Sequence, residues 1–179
     1  MTSSTAWSNL EPLFEEAIWA ASLYPRVRRC HLDVGSGGGF PAIPLAILNP
    51  ETGVELVEAR ERRAAFLETV AAELRLPNVT VHARRLDALL AAQPEKSWDA
   101  VSWKAIRLER DDLEQMLRRR PSELWVFHGR SLSADEADIL TSHELAERRS
   151  VPGRASSHLS IYRLRSAPDS SIPGGSGRR

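Results

Sequence analysis

The residues best suited to chemistry lie in H-L-D-V-G-S-G-G-G-F-P-A-I-P-L-A-I (31–47), which sets one acid, four glycines and two prolines between apolar runs. Asp33, Gly35, Gly37 and Gly39 give the spacing D-x-G-x-G-x-G. Glycines at this spacing let a backbone approach a ligand closely. A dinucleotide loop, G-x-G-x-x-G, would need its third glycine at position 40, which is Phe40. A P-loop would end in Gly-Lys-Ser/Thr, and no lysine is near. Asp33, directly before the loop, would repel a pyrophosphate and attract an ammonium group. Glu58, 23 residues beyond Gly35, is placed to grip ribose hydroxyls. A ribose joined to an amino-acid-like cation describes S-adenosylmethionine.

Elements able to position these groups follow in alternation. A helix is predicted over 9–24, with Leu10, Leu13, Phe14, Ala17, Ile18 and Ala21 at helical spacing. A strand over 30–34 ends at Gly35, and a helix over 40–48 carries prolines in its first turns. Strand 54–58 leads to helix 60–75, whose apolar side is Ala64, Phe66, Leu67, Val70, Ala71 and Leu74. Strand 79–83, helix 85–92, strand 98–103, helix 109–119 and strand 123–129 continue the pattern. A helix is predicted over 133–147 from its Ser cap and early acids. The alternating stretch 158–165 reads as a last antiparallel strand, with R-R-S-V-P-G-R as a hairpin partner. Such alternation predicts a Rossmann-like α/β fold, a mostly parallel sheet with helices on both faces. Ligands bind such sheets at the carboxyl ends of the strands, where strand order reverses. Asp33, the glycines and Glu58 all fall there. The organisation expected is a short helical segment (1–29), a catalytic domain (30–165) and a disordered tail (166–179).

Composition narrows the classes. The chain has 179 residues, formal net charge zero, and only two lysines, Lys96 and Lys104, among 24 basic residues. Zero net charge removes the simplest argument for nucleic-acid binding and leaves local patches. R-E-R-R (60–63), A-R-R (83–85) and R-R-R (118–120) are such clusters. Taken singly each reads as a solvated helix face, and Arg60, Arg62 and Arg63 are the best candidates because they follow Glu58. A lone cysteine, Cys30, builds no disulfide framework. The five histidines are scattered, so no metal site is expected. Neither a signal peptide nor a membrane span is expected, which points to a cytoplasmic protein, taken as a monomer. Trp103 could stack on a flipped base or cover the core.

The stretch L-D-V-G-S-G-G-G-F-P-A-I-P-L-A-I, then E-A-R-E-R-R-A-A-F-L and L-P-N-V, resembles the small-subunit ribosomal RNA methyltransferase G family, also called glucose-inhibited division protein B. The match is good over about 31–90 and weaker through V-S-W-K-A-I and W-V-F-H-G-R. The resemblance implies a class I S-adenosylmethionine-dependent methyltransferase acting on a guanine N7 of 16S ribosomal RNA, with the small ribosomal subunit as partner. It carries cofactor contacts onto Gly35, Phe40, Leu86, Asp87 and Lys104. Lys104 stands where the family has arginine, and is the one candidate for a catalytic role. The N-terminal helical region is shorter than the family's. Two other readings stand beside this one: a methyltransferase with another RNA or small-molecule acceptor, and a cofactor-binding module without catalysis.

Overall fold

The computed structural model describes residues 7–25, 29–129 and 140–166. Helix α1 (Trp7–Leu23) leads into strand β1 (Cys30–Val34). Then come α2 (Ala42–Leu48), β2 (Gly53–Val57), α3 (Glu61–Glu73), β3 (Val79–His82), α4 (Leu86–Ala92), β4 (Ala100–Lys104), α5 (Arg110–Arg118) and β5 (Glu123–His128). A short 3₁₀ turn (Leu140–Ser142) precedes the hairpin β6 (His143–Val151) and β7 (Arg154–Leu164). These form one seven-stranded sheet of order β3-β2-β1-β4-β5-β7-β6. All pairs are parallel except β5·β7 and β6·β7. Strand order reverses between β1 and β4, where His31 pairs with Ala100 and Val34 with Trp103.

Helices cover both faces because the central strands are apolar on both sides. Val54, Leu56, Trp125 and Phe127 pack with Ala20 and Ala21 of α1, Ala42, Ile43 and Leu45 of α2, and Leu67 of α3. Their neighbours Leu32, Val34, Val57, Leu124 and Val126 face the other way, onto Leu86, Leu89 and Leu90 of α4 and Leu113, Met116 and Leu117 of α5. Trp103 lies in this second layer with 3% of its surface exposed, so it covers the core and cannot stack on a base.

Three expectations need correction. The helix over 133–147 gives way to strand β6 from His143 onward, and 130–139 lie outside the described residues, as does the tail beyond 166. The Ser cap and early acids point to a helix, but pairing with β7 satisfies the backbone from His143 onward: Leu145 sits opposite Tyr162 and His143 opposite Leu164. Along the helix expected over 60–75, Phe66 and Leu74 are 45% and 50% exposed, so the apolar side narrows to Ala64, Leu67 and Val70. Among the histidines, His128 and His158 meet across β5 and β7 with stacked rings 5.9 Å apart.

Candidate active site

The glycine loop leaves β1 and is stitched to the end of β2. Gly35 and Ser36 both donate backbone N–H bonds to the Val57 carbonyl, at 2.8 and 3.3 Å. Glu58, the next residue, is 6% exposed. One of its carboxylate oxygens accepts the Gly37 amide at 2.9 Å and the other accepts the Arg60 amide at 2.9 Å. Glu58 thus joins the loop to the start of α3. Each oxygen keeps further acceptor capacity, and Glu58 lines the smaller of two cavities at this end of the sheet.

Two glycines have different work. Gly35 has φ +69°, and a Cβ there would stand 2.7 Å from Ile106 Cδ1. Gly39 has φ +86°, and its Cβ would meet Ile43 Cγ1 at 2.7 Å and Leu67 Cδ2 at 3.1 Å. Gly39 therefore serves the tight packing of loop against α2 and α3, a role the spacing alone did not assign it.

Beneath the loop runs a buried polar chain. Ser102 Oγ donates to Asp33 Oδ1 at 2.5 Å, and His31 Nε2 lies 2.8 Å from Ser102 Oγ. Because the serine proton is given to Asp33, His31 Nε2–H donates to the serine. His31 Nδ1 then accepts from the Tyr24 hydroxyl at 3.1 Å. Burial pushes the Asp33 carboxyl up to about 6 and His31 down to about 3. Burial also raises the Tyr24 hydroxyl, which keeps it a donor.

Two adjoining cavities open at the carboxyl end of the sheet. The smaller, about 280 Å³, is bounded by Gly35, Glu58 and Leu86, with Arg84, Arg85 and Asp112 at its edge. The larger, about 620 Å³, is bounded by Leu10 and Leu13 of α1, Gly37, Phe40, Phe66 and Lys104. Gly35, Arg60, Arg63 and Ile106 belong to both. Ala105 has φ +54°, an uncommon conformation for a residue with a side chain. It turns the chain after β4, and Ile106 comes back over Gly35.

Of the sequence-derived site residues, Gly35, Gly37, Phe40, Glu58, Leu86 and Lys104 line these cavities. Asp33, Gly39 and Asp87 do not. Asp33 is 2% exposed under the loop, and Gly39 faces the helices. Asp87 is exposed at the start of α4, 3.4 Å from Arg85 Nε. Its charge adds to burial in raising the pKa of Asp112. Lys104 is held from behind: its Nζ is 2.7 Å from Glu16 Oε1, and Arg154 donates to Glu16 Oε2 at 2.9 Å. Glu16, 2% exposed, was not foreseen, nor were Leu10, Leu13, Phe66 and Ile106 as cavity walls. Helical spacing had placed the leucines and Phe66 on core faces, and nothing local marks Glu16. Arg60, Arg63, Arg84 and Arg85, in clusters read singly as solvated, converge on one cavity, whereas Arg62 is exposed and lines neither.

A strand order of 3-2-1-4-5-7-6, a glycine turn after β1 and an acid after β2 agree with a family model described as rRNA small subunit methyltransferase G, which matches residues 1–151. The chain belongs to that family. A ribosomal RNA small subunit methyltransferase G of Sorangium cellulosum is 43% identical over 97 residues, covering 54% of this chain and 37% of the relative. Its counterpart in Coxiella burnetii is 32% identical over 130 residues, 72% of this chain and 62% of the relative. The matched part therefore spans little more than a third to under two thirds of these relatives. Among solved structures, magnesium protoporphyrin IX methyltransferase from Synechocystis, described with bound SAM, superposes with a TM-score of 0.65 at 16% identity. That superposition covers 89% of this chain and 81% of the other, and establishes the class I methyltransferase fold.

Proposed function

We infer that this family member is an S-adenosylmethionine-dependent methyltransferase whose acceptor is a guanine N7 of 16S ribosomal RNA. One observation carries the cofactor reading: the glycine loop after β1 and Glu58 after β2 wall one cavity at the point where strand order reverses. The residues present fit the cofactor. Gly35 has no side chain where the loop borders both cavities, Glu58 offers free lone pairs, and Leu86 gives an apolar wall. The cofactor supplies a methyl group on a positively charged sulfur.

The chain's own residues bind, orient and exclude water. Glu58 would accept from ribose hydroxyls while its other lone pairs hold the loop. Leu86 would lie against the adenine, while Asp87, turned to Arg85 and the Ala88 amide outside the cavity, takes no part in this arrangement. Lys104 would meet the cofactor carboxylate as a point charge, where an arginine would offer two prongs. Phe40, at the loop's end, closes the larger cavity from one side. Asp33 lies beneath the loop with its carboxylate accepting from Ser102, and its main-chain carbonyl accepts the Ser36 hydroxyl at 2.9 Å. Guanine N7 carries a free lone pair, so no general base is needed. Alignment can account for about 7–11 kcal/mol of the barrier. On this reading the protein is a cytoplasmic monomer that meets the small ribosomal subunit.

The test has two arms. Calorimetry should give S-adenosylhomocysteine binding in preference to NAD or ATP, weakened in Glu58→Ala by about 1.5–3 kcal/mol. Radiolabelled methyl transfer to total RNA and immature small subunits, with the nucleoside identified, should give 7-methylguanosine. Tight NAD binding without S-adenosylhomocysteine binding would overturn the cofactor reading. Cofactor binding with no transfer to any ribosomal RNA would overturn the acceptor reading.

A further inference from the structure

The larger cavity has two unlike walls. One is the apolar face of α1, where Leu10 and Leu13 line it. The aromatic series continues outward: the Trp7 and Phe14 rings stack at 5.6 Å, and Phe14 meets Phe40 edge-on at 4.8 Å. The opposite wall is the start of α3, carrying Arg60, Arg63 and Phe66. Phe66 on the α3 wall is 45% exposed, and Trp7, stacked on Phe14 beyond the cavity lining, is 60% exposed. The floor is the glycine loop itself.

Charge decides what such a cleft takes. Lys104, at the floor, already faces Glu16. Among the described residues Arg60 and Arg63 have no ion-pair partner. An uncharged apolar partner would cover these guanidiniums without a counter-charge, at a desolvation cost. A chain that is planar and apolar on one side and anionic on the other satisfies both walls at once. Single-stranded nucleic acid has that form, with stacking bases and a phosphate track.

We propose that the cleft between α1 and the start of α3 binds a single-stranded RNA segment next to the acceptor nucleotide, bases against Leu13, Phe40 and Phe66, phosphates on Arg60 and Arg63. This rests on the reading of the chain as an RNA methyltransferase and adds the surface that grips the substrate. Trp7 extends the stacking platform beyond the cavity. Arg118, on α5, lies outside the cleft.

The experiment measures binding of a short single-stranded RNA carrying 2-aminopurine to protein loaded with S-adenosylhomocysteine, across a salt series. Wild type should bind with quenching of the fluorescent base. Phe66→Ala, at an exposed position, should weaken binding about tenfold and relieve the quench. Arg63→Gln should weaken all sequences alike and reduce the slope of log affinity against log salt by about one. Arg118→Gln should leave binding unchanged. Wild type that binds without quenching, or Phe66→Ala and Arg63→Gln variants that bind as wild type does, overturn the proposal. Parallel methyl-transfer assays separate the two readings. Quenching without any transfer to ribosomal RNA sinks the acceptor reading and leaves the cleft standing. Transfer by wild type and both variants at equal rates, with equal RNA affinity, sinks the cleft alone.

Discussion

Replacing Glu16 by Gln removes the one negative charge between two cations. Glu16 is 2% exposed, with Lys104 at 2.7 Å and Arg154 at 2.9 Å. Losing one partner of a fully buried ion pair costs about 3–5 kcal/mol. Here the Lys104 and Arg154 side chains keep 19% and 31% exposure, so water recovers part of that. We expect a loss of about 2–3 kcal/mol, which for a chain of this size lowers Tm by roughly 4–10 °C. Charge arithmetic sets the order among variants. Glu16→Gln leaves two cations facing a neutral amide. Arg154→Met leaves the neutral Glu16–Lys104 pair and should cost only about 1 kcal/mol. In Glu16→Gln/Lys104→Met the losses should be less than additive, because the second change removes one orphaned charge. Urea unfolding and thermal circular dichroism at neutral pH read all three. An Arg154→Met loss as large as that of Glu16→Gln, or a Glu16→Gln Tm equal to wild type, refutes the reasoning.

Two further perturbations probe the loop and the chain beneath it. Burial raises Asp33 from 3.8 to about 6, so its stabilising contribution is full below pH 3.8 and is lost as pH rises through 6, while His31, lowered from 6.5 to about 3, contributes fully above 6.5 and loses it as pH falls. Stability of Asp33→Asn relative to wild type should therefore climb by about 2–3 kcal/mol between about pH 4 and pH 7 and then level off; a difference independent of pH in urea titrations would contradict the assignment. Gly39→Ala combines a positive φ with a 2.7 Å approach to Ile43 and should cost about 2–4 kcal/mol by thermal unfolding. Gly38→Ala, whose Cβ would find its nearest neighbour at 3.9 Å, should change Tm by no more than a degree or two; equal losses at both positions would disprove the packing role of Gly39.

The elements that position the site were legible because their signals are local. Apolar runs closed by glycine or proline marked β1 at 30–34 to the residue and β2 to within one residue, and alternation with helices fixed a sheet with two covered faces. The glycine loop and Glu58 could be placed at one end of that sheet because parallel strands share a direction. Asp33, the glycine loop and Glu58 gave the cofactor expectation, and the family resemblance over about 31–90 added the acceptor. The first part of β6, 143–147, reads as helix from a Ser cap and early acids, whereas R-R-S-V-P-G-R reads as the last strand's hairpin partner and is so paired. The hydrogen-bond partners of β6 lie on β7, and only pairing decides. Tertiary structure alone brought Glu16 to Lys104 and to Arg154, the latter 138 residues away, and drew two arginine clusters to one cavity. It also turned Asp33 inward to Ser102. Charges and hydrogen bonds act over a few ångströms in space. The order of residues sets which side chains exist on each element, but which charges meet depends on how the helices pack across the sheet.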